Sequence, residues 1–284
     1  AAQHKVDGGI NRVILATDGD FNVGIDDPDD LVDFIKNKRD QGVFLSVLGF
    51  GSGNYGDDTM QALAQNGNGN ASYIDSFREA QKVLVKEIGG TLETIAKDVK
   101  IQVEFNPAVV SEYRLVGYET RALNREDFNN DKVDAGDIGA GHTVTAIYEI
   151  TPVGSGAELV DPLRYGQSAT TPTSAVLPSD EIGFLKMRYK LPDSDTSQLI
   201  ETPITKALAV DTLAAASDDA RWAAAVAAFA QKLKVANYGG TMSYDEIKAL
   251  AQGARGTDTD GYRAEFMQLI DAAKAIAPET IPAR

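Results

Sequence analysis

The chain contains no cysteine in 284 residues, which excludes disulfides, thiolate-held metals and a thiol nucleophile. Histidine is nearly as scarce. His4 and His142 are the only two, so a histidine-built zinc centre or catalytic triad would use almost the whole supply. No apolar run approaches the roughly 20 residues of a membrane span. No charged-then-apolar leader opens the sequence, so any targeting segment would lie outside these residues. Positive charge is also short: 27 Lys and Arg stand against 42 Asp and Glu, a net charge of −15. Such a surface repels phosphate and anionic lipid, which argues against nucleic acid or a membrane surface as the partner. The remaining composition, 43% hydrophobic and 24% charged, is that of a folded globular chain. Its length allows two or three domains.

Three regions are distinguishable by pattern. Residues 1–97 alternate strand and helix. Val13-Ile14-Leu15-Ala16 is a short apolar run without polar alternation, the mark of a strand covered on both faces. Asp27-Pro28 supplies a cap and a first-turn proline for a helix with Leu31, Phe34 and Ile35 on one face, ended by Gly42. Residues 43–50 form a second buried strand. A short helix carrying Met60, Leu63 and Ala64 stops at Asn66-Gly67, and Ser72-Tyr73-Ile74 gives a third strand. Ser76 and Glu79 have capping-box spacing and predict a helix through Val83, Leu84, Ile88, Leu92 and Ile95. Gly89-Gly90 weakens that helix by up to ~2 kcal/mol and predicts a break or close packing there. The β-α-β-α-β-α order predicts a parallel sheet with right-handed crossovers.

Residues 98–200 read as strands. Val99, Ile101, Val103 and Phe105 alternate with polar residues, and 109–119, 143–151 and 183–191 are three further candidates. Strands of this kind between Pro-, Gly- and Thr-rich turns predict an antiparallel β-sandwich. Residues 152–179 read as a long connection. Residues 201–284 are helical. Trp222, Val226, Phe229 and Leu233 make one stripe, Ser243 and Glu246 a second capping box, and Tyr262, Phe266, Leu269, Ile270 and Ala273 another stripe. These stripes most simply bury one another or pack on the sandwich.

Two acidic sites stand out. Asp18 follows a buried strand directly, and in an open α/β sheet ligands sit at the carboxyl ends of strands. With Asp20 two residues on, and Gly19 permitting close backbone approach, it suits a hard divalent cation; equally, Asp and Gly there can simply begin a turn. The second site is Asp127, Asn129, Asp131, Asp134 and Asp137. Oxygen-bearing residues at relative positions 1, 3 and 5 match an EF-hand-like Ca²⁺ loop, and so many carboxylates close together repel without a counter-ion. Against that, Lys132 replaces the glycine of position 6 and Ile138 the acid of position 12, and a solvated acidic turn explains the segment too. Gly49-Phe50-Gly51-Ser52-Gly53 lacks the lysine of a phosphate-binding loop and reads as a flexible turn.

Ile14-Leu15-Ala16-Thr17-Asp18-Gly19 closely resembles the fourth-strand motif of von Willebrand factor type A domains. With Leu48-Gly49-Phe50-Gly51 and Asn68-Gly69-Asn70-Ala71-Ser72-Tyr73-Ile74-Asp75, residues 10–96 resemble the second half of such a domain from bacteria. Residues 97–284 are similar to the extension that follows it. The resemblance implies a fold class of partial parallel-sheet, Rossmann-like A domain, then β-sandwich, then helices. It also implies that Asp18 belongs to a metal-ion-dependent adhesion site, which holds Mg²⁺ or Mn²⁺ and leaves one position for an acidic residue of a protein ligand. Asp20 would add a second oxygen, with Gly19, Ser52 and Asn54 as binding residues in the adjoining loops. The family's Asp-x-Ser-x-Ser loop and later threonine have no counterpart here, so the chain reads as starting just before the fourth strand. Bound by few ligands, Mg²⁺ should be held weakly at Asp18 and Asp20. The family's strand order, 3-2-1-4-5-6, would leave 13–16 at an open edge that another chain, or self-association, could cover. The reading is thus a non-enzymatic protein-binding module, located in the periplasm or on the cell surface. The alternatives are a Mg²⁺-dependent hydrolase using Asp18 and Asp20, or a purely structural scaffold.

Overall fold

A computed structural model describes residues 2–7, 9–18, 27–51, 56–118, 122–160, 180–234 and 242–276. The chain divides into two compact units. One comprises Ala1–Val103, Leu123–Thr143 and Leu185–Thr202, and the other Glu104–Ala122, Val144–Phe184 and Pro203–Arg284.

The first unit opens with a parallel sheet. Strands β1 (Arg12–Thr17), β2 (Phe44–Gly49) and β3 (Ala71–Tyr73) lie in the order β1-β2-β3. Register runs from Arg12↔Phe44 to Thr17↔Gly49, with Val47↔Ala71 on the other side. Central β2 is buried on both faces, as its unbroken apolar run predicts. Between the strands run α1 (Pro28–Asp40), capped by the Asp27 carboxylate accepting the N–H groups of Asp29 and Asp30, and α2 (Asp57–Asn66). Leu45, Val47, Met60, Leu63 and Ala64 form the core, flanked by Leu15, Leu31 and Ile35. Each large side chain buried there contributes about 1.5–3 kcal/mol. Gly69 is required by close approach: a Cβ there would stand 1.8 Å from the Leu45 carbonyl oxygen. Among the described residues β1 pairs only with β2, so it lies at the sheet edge.

The helix predicted from Phe77 to Ile95 is broken. It consists of α3 (Phe77–Gln81), a π-helical turn (Lys82–Lys86) and α4 (Ile88–Leu92), and Ile95 already belongs to strand β4 (Thr94–Phe105). The Ser76 hydroxyl does accept the Glu79 N–H, at 3.2 Å. Gly89 and Gly90 lie within α4, and the Gly90 carbonyl oxygen packs so near Gly139 that a Cβ on the latter would stand 1.6 Å away.

β4 belongs to a second sheet of order β6-β4-β8-β9, with β6 (Gly136–Gly139), β8 (Glu181–Lys190) and β9 (Ser197–Thr205). β4 and β6 pair antiparallel with register shifts on both sides of Ala96. Asp98 sits at this irregularity with φ 50°, left-handed backbone of the kind a bulge uses. Neither β6 nor β9 is expected from the sequence. The phase of β4 also differs from its apolar alternation: Lys100 is buried, 4% exposed, whereas Ile101 is 45% exposed.

In the second unit β5 (Val110–Val116) pairs antiparallel with β7 (Ile147–Pro152). The Phe105 ring packs 4.7 Å from Tyr113 and 5.3 Å from Tyr148. Helices α5 (Asp218–Leu233), α6 (Tyr244–Gly253) and α7 (Tyr262–Ile276) share a core of Ala225, Phe229, Tyr244, Ile247, Ala251 and Ile270. The predicted stripes bury each other through Phe229 and Ile270, while Val226, Leu233 and Leu269 of the same stripes face solvent. The capping box at Ser243 and Glu246 is complete. Gln231 on α5 accepts from Arg114 on β5 at 3.2 Å. Most of the predicted 152–179 connection lies outside the described residues. No helix among the described residues is long and apolar enough to cross a membrane.

Candidate functional site

The carboxyl ends of the parallel strands converge on one rim. Asp18 follows β1 and is exposed. The Phe50 N–H donates to the Thr17 carbonyl at 2.8 Å, which carries β2 alongside β1 to its last residue. Gly51 then turns with φ 83°, and a Cβ there would stand 3.9 Å from that of Asp18. From β3, the Tyr73 hydroxyl donates to the Gly51 carbonyl at 2.7 Å and fixes the turn. Asp18 therefore lies exposed at a strand end beside the Gly51 turn. Asp20, Gly19, Ser52 and Asn54 lie outside the described residues. Among the described residues no three His, Cys, Asp or Glu side chains are placed to hold a metal ion.

The acidic segment 127–137 is organised differently. Asp127 and Asn129 lie in a 3₁₀ turn, Arg125–Asn129, anchored by buried Phe128. Arg188 brings Asn129 and Asp131 together: its guanidinium donates to Asn129 Oδ1 at 3.0 Å and to Asp131 Oδ1 at 2.8 Å. The Ser197 hydroxyl donates to the same Asp131 oxygen at 2.5 Å. The Asp127 carboxylate turns elsewhere and accepts from the Asn124 amide at 3.3 Å. Two lysines hold the loop's backbone. Lys100 donates to the carbonyls of Asp127 and Asn130 at 3.3 and 2.5 Å, and Lys190 to that of Asp131 at 2.9 Å.

Asp134 and Asp137 meet Asp98. The Asp98 carboxylate receives Lys190 at 2.6 Å and the Ala135 N–H at 3.2 Å, while the Asp98 N–H donates to Asp137 Oδ1 at 3.2 Å. Asp134 pairs with Arg39 of α1 at 2.6 Å. Burial pushes Asp134 up to about 6 despite Arg39, with Asp98 and Asp137 adding to the rise. Burial likewise raises Asp137 to about 6, with the neighbouring Asp98 charge adding to it. Its Oδ2 is buried without a partner. Burial opposes ionisation of Asp98 as well, but the hydrogen bonds from Lys190, Asp134 and Ala135 outweigh it and hold that carboxyl below its usual range. Asp131 is held low by Ser197 and by the charges of Arg188 and Lys190.

Lys100, Arg188, Lys190 and Asp98 are absent from the sequence reading. One signal was available: Lys186, Arg188 and Lys190 recur at period two along β8, which puts three cations on one face of a strand.

The family described as "Uncharacterized protein YfbK, C-terminal" matches residues 90–276. Asp18 precedes this segment, whereas the 127–137 loop and its cations on β4 and β8 lie within it. "Uncharacterized protein YfbK" of Escherichia coli (strain K12) is 50% identical over 279 residues, covering 97% of this chain and 47% of the relative. The chain thus spans about half the length of that curated relative. Among solved structures, "von Willebrand factor type A from Catenulispora acidiphila" is similar with a TM-score of 0.39 and 16% identity, covering 96% of this chain and 60% of that one.

Proposed function

The chain belongs to the family of the uncharacterized protein YfbK, C-terminal, and on that premise we propose that it is a non-catalytic protein-binding module with an ion-assisted contact at Asp18. Asp18 supplies one oxygen ligand to Mg²⁺ or Mn²⁺, and a carboxylate of the partner protein takes a remaining position. The observation that carries this reading is the place of Asp18: an exposed carboxylate at the carboxyl end of edge strand β1, beside the Gly51 turn that Tyr73 fixes. The motif Ile14-Leu15-Ala16-Thr17-Asp18-Gly19 supports the same assignment. Charge supplies the reason for an ion. A chain of net −15 repels an acidic partner, and a bound divalent cation reverses that repulsion at the point of contact.

The test is capture of aspartate- and glutamate-bearing peptides by the chain with Mg²⁺, with EDTA, and with Asp18→Ala. Binding that needs both the ion and Asp18 supports the proposal. A parallel screen with chromogenic phosphate esters and glycosides decides against it if Mg²⁺-dependent turnover appears and is lost in Asp18→Ala, since that outcome describes a hydrolase.

A further inference from the structure

One side-chain oxygen of each residue that the 127–131 spacing offers to a calcium ion is already engaged. Relative positions 1, 3 and 5 would contribute Asp127, Asn129 and Asp131. Two of the three are held by a single planar fork, Arg188, and the third turns to Asn124. The backbone oxygens are occupied as well: those of Asp127 and Asn130 by Lys100, and that of Asp131 by Lys190.

We infer that the 124–134 loop is built around three cations of the chain itself, Arg188, Lys100 and Lys190, and has no place for calcium. The sheet explains how they reach it. Arg188 and Lys190 are two residues apart on β8 and so share a face, and Lys100 is on β4, the adjacent strand. The loop covers that face. Lys100 is 4% and Lys190 8% exposed. A buried ammonium needs oxygens in place of its lost water, and a loop rich in acids needs positive charge. Each requirement meets the other.

The residues do not fit calcium on two further counts. Ca²⁺ takes about six to eight oxygens, commonly including a bidentate acid late in the loop. Here Lys132 replaces the turn glycine and Ile138 stands where that acid belongs. To admit the ion, Arg188 would have to leave Asn129 and Asp131, and calcium would then sit beside two buried ammonium groups.

The experiment is thermal melting in an Asp18→Ala background, so that no ion effect at the β1 rim intrudes. Calcium is raised from a chelated, calcium-free baseline to about 10 mM, above the roughly nanomolar to millimolar dissociation constants of known protein sites, at constant ionic strength. The expected result is no saturable rise in Tm, together with a fall of about 5 °C for Arg188→Gln. Saturable stabilisation by calcium overturns the inference, as does an Arg188→Gln chain that melts with the parent. Should Arg188→Gln not fold, Lys100→Met, which keeps the length and loses the charge, takes its place with the same expected fall, and the calcium titration stands unaffected.

Discussion

Arg39, in the last turn of α1, lies 2.6 Å from the carboxylate of Asp134, 95 residues further along the chain. The pair joins the layer on the parallel sheet to the loop beside β6 within one compact unit. Arg39 is largely covered, with its side chain 17% exposed, and Asp134 is half-covered at 36%. Removing the arginine leaves a carboxyl facing Asp98 and Asp137 without its cation.

Arg39→Ala is expected to lower stability by about 1–2 kcal/mol in urea unfolding. Asp134→Asn should recover part of that loss in the double variant, since the stranded charge is gone. A double variant whose loss equals the sum of the two single losses would show that the pair does not interact.

Asp137 sets a pH dependence. Its folded value, about 6, exceeds the 3.8 of an ordinary aspartate. Between about pH 4 and 6 the folded chain therefore keeps a proton that the unfolded chain has released. Stability contributed by this group is full below that window, falls as pH rises through it, and stays lower above it. Asp137→Asn removes the effect. The variant should match the native chain near pH 4 and exceed it at pH 7.5, by up to about 3 kcal/mol. An equal deficit at both values would mean that the Asp98 N–H contact, and not the buried charge, dominates this position.

Glycines divide by what surrounds them. A Cβ at Gly139 would meet the Gly90 carbonyl at 1.6 Å, and one at Gly69 the Leu45 carbonyl at 1.8 Å, whereas nothing lies within 4 Å of one at Gly89. Gly69→Ala and Gly139→Ala are expected to cost about 3 kcal/mol or more, because backbone must move. Gly89→Ala in α4 should stabilise by about 0.5–1 kcal/mol. Melting temperatures of the three variants check the order, and an unstable Gly89→Ala would refute the open space assigned there.

The parallel sheet was legible because its signals are local. β1 and β2 are short apolar runs, Asp27-Pro28 caps α1, and Ser243 with Glu246 caps α6. β6 and β9 were not. Gly136-Asp137-Ile138-Gly139 carries two glycines and one apolar residue, and β9 is mostly exposed and contains Pro203, so neither shows the alternation of a half-buried strand. Gly89-Gly90 signalled a break or close packing, and the close packing is that of the Gly90 carbonyl on Gly139, while the helix is interrupted earlier, at the π-helical turn Lys82–Lys86. The acidic loop was located by spacing, and the need for positive charge was visible. Which charge supplies it was not, because Arg188 and Lys190 reach the loop only through the pairing of β4 with β8. The apolar alternation of β4 pointed the wrong way for the same reason: Lys100 is buried by the loop it serves.

The most direct test of the adhesion reading is a Mn²⁺ titration of this chain by electron paramagnetic resonance, native against Asp18→Ala. The account predicts weak binding, with a dissociation constant of about a millimolar, in the native chain and none at that site in the variant. Identical titrations of the two chains would contradict it.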